Sequence, residues 1–409
     1  MSLKGNALIG QSGGPTIVIN ASLVGAVQEA QKTDSIDRFF GGIHGLDGVL
    51  NEKFIDLFRE DDNVIDALKT TPSAALGSSR LKPKEADLER VLQVFKAHNI
   101  RYFFYIGGND SQLTCHKISE LAAGSDWEMR VMGIPKTIDN DLPITDTCPG
   151  FGSAARYAAA AVQYASKDAE AFGNGEVIEI MGRHAGWMTG AAQVGRLDDY
   201  MAPHLVYLPE VAVDIDDIAN DAKAAFKKHG YVVVAVSEGL ELTKSAEDEA
   251  KLDEFGHARL GGVAKALAGM LEEKVGVRFR HDTLGNLQRC FAASVSETDF
   301  NQAYAVGQQA VKLAVEGETG YMITIDRESD EPYAWHLGMT ELMNVADKTK
   351  YVPRDWVNEA GNGVTEEFIR YAKPLIQGRE VALPTGIPAF PRLQKHFIEP
   401  KLPEYVRTK

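Results

Sequence analysis

Cysteine is scarce in this 409-residue chain: Cys115, Cys148 and Cys290 stand far apart, odd in number and without a CxxC pair. That spacing excludes a disulfide framework or a zinc–thiolate cluster and points to a reducing, cytoplasmic home. No stretch approaches the ~18 consecutive apolar residues of a membrane span, and Met1–Gly10 has no apolar core of signal-peptide length. Positive charge is also short. Lys plus Arg total 43 against 58 Asp plus Glu, a net charge of −15, so nothing draws the protein non-specifically onto nucleic acid or anionic lipid. The GxxxxGK[ST] phosphate loop is absent, which excludes a P-loop nucleotidase. Short-period repeats and low-complexity tracts are absent too.

What remains is an ordinary soluble composition, 44% apolar and 25% charged, long enough for two or three domains. Glycine is abundant, at 38 residues without period, and implies many tight turns. Short β-rich runs alternate with helical stretches, the signature of βαβ units around a mostly parallel sheet. The expected strands are Ala7–Gly10, Tyr102–Ile106, Val131–Ile134, Val177–Met181, Leu205–Leu208, Tyr231–Val236 and Tyr321–Ile325. Helical patterns cover Pro15–Gln31, with Pro15 at the first helical position, Lys84–His98, Ser153–Ala165, Asp214–Lys228, Gly261–Lys274 and Phe300–Val315. The last 26 residues hold five of the sixteen prolines, so the tail reads as an irregular arm.

Five strands each end in a glycine-rich or charged cluster: Ser12-Gly13-Gly14, Gly107-Gly108-Asn109-Asp110, Lys136 to Asp141, Gly182-Arg183-His184 and Ser237-Glu238-Gly239. Open α/β sheets bind ligands outside the carboxyl ends of their strands, so these clusters are expected to converge. Two motifs there have competing readings. Gly10-Gln11-Ser12-Gly13-Gly14 fits the nucleophile elbow GxSxG, which would make Ser12 the nucleophile of a serine hydrolase, but such turns serve phosphate equally. Gly150-Phe151-Gly152-Ser153-Ala154-Ala155 fits GxGxxA, yet no strand precedes it, so a dinucleotide fingerprint is not expected.

Thr137-Ile138-Asp139-Asn140-Asp141 is the strongest local signal. In extended backbone, residues two apart point the same way, so Asp139 and Asp141 would share one site, one accepting a proton and one holding magnesium. The competing reading is an Asx-rich turn; the adjacent Lys136 favours a site. Arg80, Arg183, Arg280 and Arg289 stand beside glycine turns or strand ends in an otherwise acidic protein. Arginine there suits bidentate phosphate recognition, with solvated salt bridges as the alternative.

Together Gly107-Gly108 with its polar pair, Pro135-Lys136-Thr137-Ile138-Asp139-Asn140-Asp141, Met181-Gly182-Arg183, Ser237-Glu238-Gly239 and Leu284-Gly285-Asn286-Leu287-Gln288-Arg289 resemble the ordered motif set of the 6-phosphofructokinases, in the variant of the pyrophosphate-dependent branch. The resemblance implies two Rossmann-like three-layer α/β domains with the active site in the cleft between them. Residues 1–147 with about 290–338 would bind pyrophosphate, 148–289 the sugar phosphate, and 339–409 would form a helical segment and the proline-rich arm. It further implies Asp139 as the base on the 1-hydroxyl of fructose 6-phosphate. Thr137, Met181, Gly182, Arg183 and Glu238 would contact the sugar phosphate or the phosphoryl group in flight. Arg280, Arg289 and Asn286 would hold the 6-phosphate, one arginine reaching a neighbouring subunit of a homodimer or homotetramer.

By the same resemblance Gly13 and Arg80 would bind the donor, and Asn109 and Asp141 would hold Mg²⁺. Asp110 and Lys136 would select pyrophosphate, because ATP-using relatives carry glycine at both positions. Two departures stand out. The family usually has an Asp where this chain has Asn109, and no Arg lies between Arg156 and Arg183, where ATP-using bacterial members place one. The function implied is reversible, Mg-dependent transfer from pyrophosphate to fructose 6-phosphate. The alternatives are an ATP-dependent kinase of the same fold, a hydrolase on Ser12 and a catalytically silent subunit.

Overall fold

The computed structural model describes residues 3–243, 262–379, 388 and 390–407. Among the described residues the strands are β1 (Gly5–Gln11), β2 (Ile36–Gly42), β3 (Phe54–Asp56), β4 (Ile100–Gly107), β5 (Arg130–Pro135), β6 (Gly175–Ile180), β7 (Leu205–Tyr207), β8 (Val213–Asp214), β9 (Val232–Ser237), β10 (Leu242–Thr243), β11 (Phe279–Thr283), β12 (Tyr321–Asp330) and β13 (Tyr333–Glu341). One sheet runs in the order β13-β12-β5-β4-β1-β2-β3 and a second in the order β11-β6-β9-β7, while β8 and β10 form a two-stranded ribbon. Every pair in the second sheet is parallel. The first is parallel from β2 through β12, with antiparallel strands added at both edges. The architecture is α/β.

The central strands read as they pack. In β9, Val232-Val233-Val234-Ala235-Val236-Ser237, all six residues are buried, as a parallel strand covered on both faces requires. On the first sheet, helices Ile19–Ala30 and Glu297–Glu316 cross with their backbones in contact. A Cβ on Gly25 would lie 2.2 Å from the Tyr304 carbonyl oxygen, and one on Gly307 2.0 Å from that of Ser22. Only hydrogen fits at either position. The longest helix, Phe151–Phe172, begins from Gly150 at φ 111° and carries an alanine-rich buried face against the second sheet.

Several expectations shift. Helix Ile19–Ala30 starts four residues after Pro15, which instead lies in the turn leading from the Ser12–Gly14 cluster, so Pro15 is not a first helical residue. Helix Asn109–Ala123 and strands β2, β3, β11 and β13 escaped the periodicity, and the expected Gly261–Lys274 helix is described from Val263. The tail is an arm that docks. Asp56 N–H donates to the His396 carbonyl, Ile55 bridges Phe397, and the Glu60 carboxylate accepts the N–H groups of Gln394 and Lys395 at 2.7 Å each. Buried Glu52 accepts from Lys401 and Leu402 N–H while pairing with His98 and Arg90.

Candidate active site

The carboxyl ends of β1, β4 and β5 open onto one cavity of about 400 Å³. Ser12, Gly13 and Gly14 come from the β1 end, Gly108, Asn109 and Asp110 from β4, and Lys136, Thr137, Asp139 and Asp141 from β5. Arg80 and Lys82 close one side, and Arg183, from the end of β6 in the second sheet, closes another. The two sheets therefore present their carboxyl ends to a shared space, as parallel α/β architecture predicts.

Asp139 and Asp141 converge by a different route from strand alternation. The segment after β5 turns, and Asn140 sits in the left-handed region at φ 55°. Asn140 tolerates that conformation because its side chain is wholly used. Its Nδ2 donates to the Tyr371 hydroxyl at 2.8 Å, and its Oδ1 accepts the Cys148 N–H at 3.0 Å. The expectation of extended backbone is corrected: the kink at Asn140 sends both flanking carboxylates to the cavity. Thr137 Oγ1 accepts the Asp139 N–H at 3.1 Å, and its hydroxyl bonds the Asp141 carboxylate.

The electrostatics follow from crowding. Burial, and then the neighbouring Asp141 charge, push the Asp139 carboxyl up to about 7, against the pull of Arg289 and Lys136. Burial also brings the Lys136 ammonium down to about 8 although Asp139 draws it the other way. Lys136 Nζ donates to the Gly14 carbonyl at 2.7 Å, which aims it across the cavity floor rather than at a local acid. Asp110 stands in the first turn of helix Asn109–Ala123, where Gly108 is the N-cap, and its carboxylate pairs with Lys82 at 2.9 Å.

The second sheet's loops are tied to one another. Ser237 Oγ donates to the Gly182 carbonyl at 2.8 Å, Gly182 N–H faces Glu238 Oε1 at 3.5 Å, and Met181 N–H donates to Gln288 Oε1 at 3.2 Å. A Cβ on Gly239 would fall 1.6 Å from the Arg183 carbonyl oxygen, so glycine there is obligatory. Arg289 enters the site from this side. Its guanidinium carbon would lie 3.1 Å from a Cβ on Gly14, and its Nε is buried without a protein partner. Arg280 is elsewhere: on edge strand β11 it pairs with Asp168 and lies over the Phe172 ring. Asn286 is exposed at the head of the short Leu287–Cys290 turn.

Neither competing motif holds. The Ser12 hydroxyl meets the Ser79 carbonyl, the Ser111 hydroxyl at 2.9 Å and the Tyr105 phenol; no imidazole is among these partners, so no base activates it. At the GxGxxA match the helix N-terminus is closed by a protein carboxyl group. Asp299 accepts from Gly150 N–H at 2.8 Å and from Ser153 N–H at 2.9 Å, leaving no room for a dinucleotide phosphate.

Sequence reasoning missed the supports behind the turn, which come from beyond residue 320. Arg327 binds Asp146 at 3.0 Å and the Tyr371 carbonyl at 3.0 Å, and the Tyr371 hydroxyl donates to the Asp146 carbonyl at 2.7 Å. Lys350 donates to the carbonyls of Thr145 and Asp146. No motif marks these residues; only the density of aromatic and basic residues between Tyr333 and Tyr371 hinted at a packed segment.

Comparison with known proteins agrees with this fold. The chain is 42% identical over 98% of its length to the pyrophosphate–fructose 6-phosphate 1-phosphotransferase of Halomonas elongata, of which it covers 99%. It is 41% identical to that of Rhodospirillum rubrum, over 91% of this chain and 94% of that one. The crystal structure of the pyrophosphate-dependent phosphofructokinase from Nitrosospira multiformis superposes with a TM-score of 0.92 at 39% identity, covering 98% of this chain and all of that one. The phosphofructokinase family model matches residues 6–314, a span that takes in every loop lining the cavity and the Arg289 turn; the chain belongs to that family.

Proposed function

We propose that the protein transfers a phosphoryl group, reversibly and with Mg²⁺, from pyrophosphate to the 1-hydroxyl of fructose 6-phosphate, giving fructose 1,6-bisphosphate and phosphate. The observation that carries the reading is the convergence, in one cavity, of a half-buried carboxylate, Asp139, with Lys136, Arg183 and Asp110. Phosphoryl transfer asks a protein mainly to position reactants and compensate charge, and this set does both. Asp139 accepts the hydroxyl proton: a carboxylate crowded toward neutrality is a stronger base than an ordinary one. Lys136, fixed by the Gly14 carbonyl, sits where charge builds on the departing phosphate.

Arg289, its Nε free of protein partners, takes the 6-phosphate together with Asn286, while Thr137, Met181, Gly182 and Glu238 line the sugar's approach. Gly13 and Arg80 hold the far end of the donor. The first sheet thus carries the donor half and the second the sugar half. Asp110 sets donor choice, because its carboxylate occupies the space an α-phosphate would need and repels it. Two like unit charges ~4 Å apart repel by about 4 kcal/mol at an effective dielectric of ~20 but only about 1 kcal/mol in water, and Asp110, more than half exposed and paired with Lys82, lies toward the lower figure.

For Mg²⁺ the donor set fits a lightly held ion. Among the described residues no group of three or more His, Cys, Asp or Glu forms a cage, and magnesium characteristically takes one or two carboxylates with water and substrate phosphates. Asp141 and the amide oxygen of Asn109, which also accepts the Asp110 N–H, would hold it. Bound there with the phosphates, Mg²⁺ would offset their charge.

Among the described residues no helix is long and apolar enough to cross a membrane; the three thiols are free, and the reading places the enzyme in the cytoplasm. It also makes the enzyme a homodimer or homotetramer. Phe172, 66% exposed, lies beneath Arg280 on edge strand β11, exposed apolar surface suited to a second copy, and there Arg280 would serve the neighbour's site. A coupled assay with fructose 6-phosphate and Mg²⁺, comparing pyrophosphate with ATP, tests the function. Turnover with pyrophosphate and near-silence with ATP are expected; a preference for ATP overturns the donor, and no turnover with either overturns the activity.

A further inference from the structure

The family match ends at residue 314, yet a short segment well beyond it, residues 347–352, runs between the loops of the two sheets. On the first-sheet side, Asn109 Nδ2 donates to the Lys348 carbonyl at 3.3 Å, and Lys350 N–H donates to the Asp141 carbonyl at 2.7 Å. On the second-sheet side, Trp187 Nε1 donates to the Lys350 carbonyl at 3.0 Å. Glu210 Oε1 accepts both Val352 N–H at 3.0 Å and Gly186 N–H at 2.8 Å, three residues after Arg183. One residue, Lys350, thus has its N–H bound to the turn that carries Asp139 and its C=O bound to the stretch that follows Arg183.

The Lys350 side chain completes the tie. Its ammonium lies 5.2 Å from the centre of the Trp187 ring and donates to the Thr145 carbonyl at 3.0 Å and the Asp146 carbonyl at 2.9 Å, just past the catalytic turn. Burying an ammonium on neutral carbonyls is expensive where a neutral donor would satisfy the same atoms. What the lysine adds is reach: a single side chain fixes two consecutive carbonyls from a strand of chain already anchored on the opposite half. We propose that residues 347–352 form a strap that sets the spacing of the Asp139 turn against the Arg183 loop, and that Lys350 is its positioning residue for phosphoryl transfer. This rests on the function proposed above.

Transfer depends on the separation of base, acceptor and donor, and a misplacement of about 1 Å can cost ~10²-fold in rate. Substrate binding draws on contacts within each half and depends on that spacing less. Lys350→Met keeps the chain length and the packing on Trp187 but removes both carbonyl contacts. The expected result is a kcat loss of about 10–100-fold, with the KM values for pyrophosphate and fructose 6-phosphate within threefold of wild type. Wild-type kcat in this variant, or a rise in KM with kcat unchanged, overturns the proposal.

Should Lys350→Met fail to melt cooperatively, Glu210 decides. Glu210→Ala cuts the strap's other end and is expected to show the same kcat-selective loss, whereas Glu210→Gln keeps the accepting oxygen and is expected to stay near wild type. A glutamine variant as impaired as the alanine one, or an alanine variant with wild-type kcat, overturns the strap. Wild-type enzyme inactive with pyrophosphate would instead refute the function on which the strap rests, so the two failures are told apart.

Discussion

Replacing Asp139 by asparagine keeps the shape of the turn while removing the charge proposed to accept the sugar proton. The Asp139 N–H still reaches Thr137 Oγ1 and the kink at Asn140 is untouched, so the change is confined to the carboxylate. Moving a carboxyl from its ordinary value of 3.8 to about 7 corresponds to roughly 4 kcal/mol of penalty on the anion, at 1.36 kcal/mol per decade. Accepting a proton relieves that penalty, which is the driving force a general base needs. An amide supplies none of it, so kcat is expected to fall by about 10²–10⁴ with modest change in either KM. In wild type the same crowding sets the sign of the pH dependence. The base must be ionised, so kcat falls as pH drops through about 7. Burial is the larger cause of the raised value and the Asp141 charge the second. Initial rates in a coupled assay between pH 5.5 and 8.5, for wild type and Asp139→Asn, read both effects. An Asp139→Asn enzyme with more than a tenth of wild-type kcat removes Asp139 from the mechanism.

Arg289→Ala is expected to raise the KM for fructose 6-phosphate by about 10–10²-fold, from the ~1.5–3 kcal/mol of a charged hydrogen bond, with the pyrophosphate KM nearly unmoved; equal losses for both substrates would argue against a 6-phosphate clamp. Asp110→Gly is expected to open measurable ATP use, since it frees both the volume and the Lys82 ammonium for a further phosphate, while Lys136→Gly collapses pyrophosphate activity; steady-state rates with each donor decide. The arm's clasp should loosen in acid. Burial holds His98 below its ordinary value, so its contribution is present above about pH 6.5 and declines as pH falls; Glu52, held down by Lys401 and Leu402 N–H and by His98 against its burial, is lost only below its own ordinary value. Thermal melts from pH 7.5 to 5.5 are therefore expected to fall in wild type and to fall less steeply in His98→Gln, where His204, which burial brings down to about 4, keeps part of the slope; parallel curves would refute the assignment.

The parts of the site that could be read from the chain are those where chemistry is local. A glycine-rich turn at the end of a buried apolar strand has few structural uses, so the meeting of the ends of β1, β4 and β5 is legible in the chain itself. The edge strands could not be read that way. β11 leaves Arg280 to Thr283 largely exposed, and β13 mixes exposed and half-buried residues, so neither shows the continuous apolar run that marks β9. The Asp139–Asp141 turn was legible in composition and illegible in conformation. Alternation along a strand and a left-handed kink at Asn140 bring the same two carboxylates together, and the partners of Asn140, Cys148 eight residues on and the distant Tyr371, choose the kink. Tyr371 lies 231 residues from Asn140, and Lys350 donates across more than 200 residues to Thr145 and Asp146. Such pairings leave no trace in spacing, because spacing records neighbours along the chain while the turn is held by neighbours in space. The residues proposed to do chemistry cluster in motifs, and those that hold the turn come from a segment with no motif at all. Substitutions in residues 320–376 should therefore damage turnover more than their distance in sequence from Asp139 would suggest.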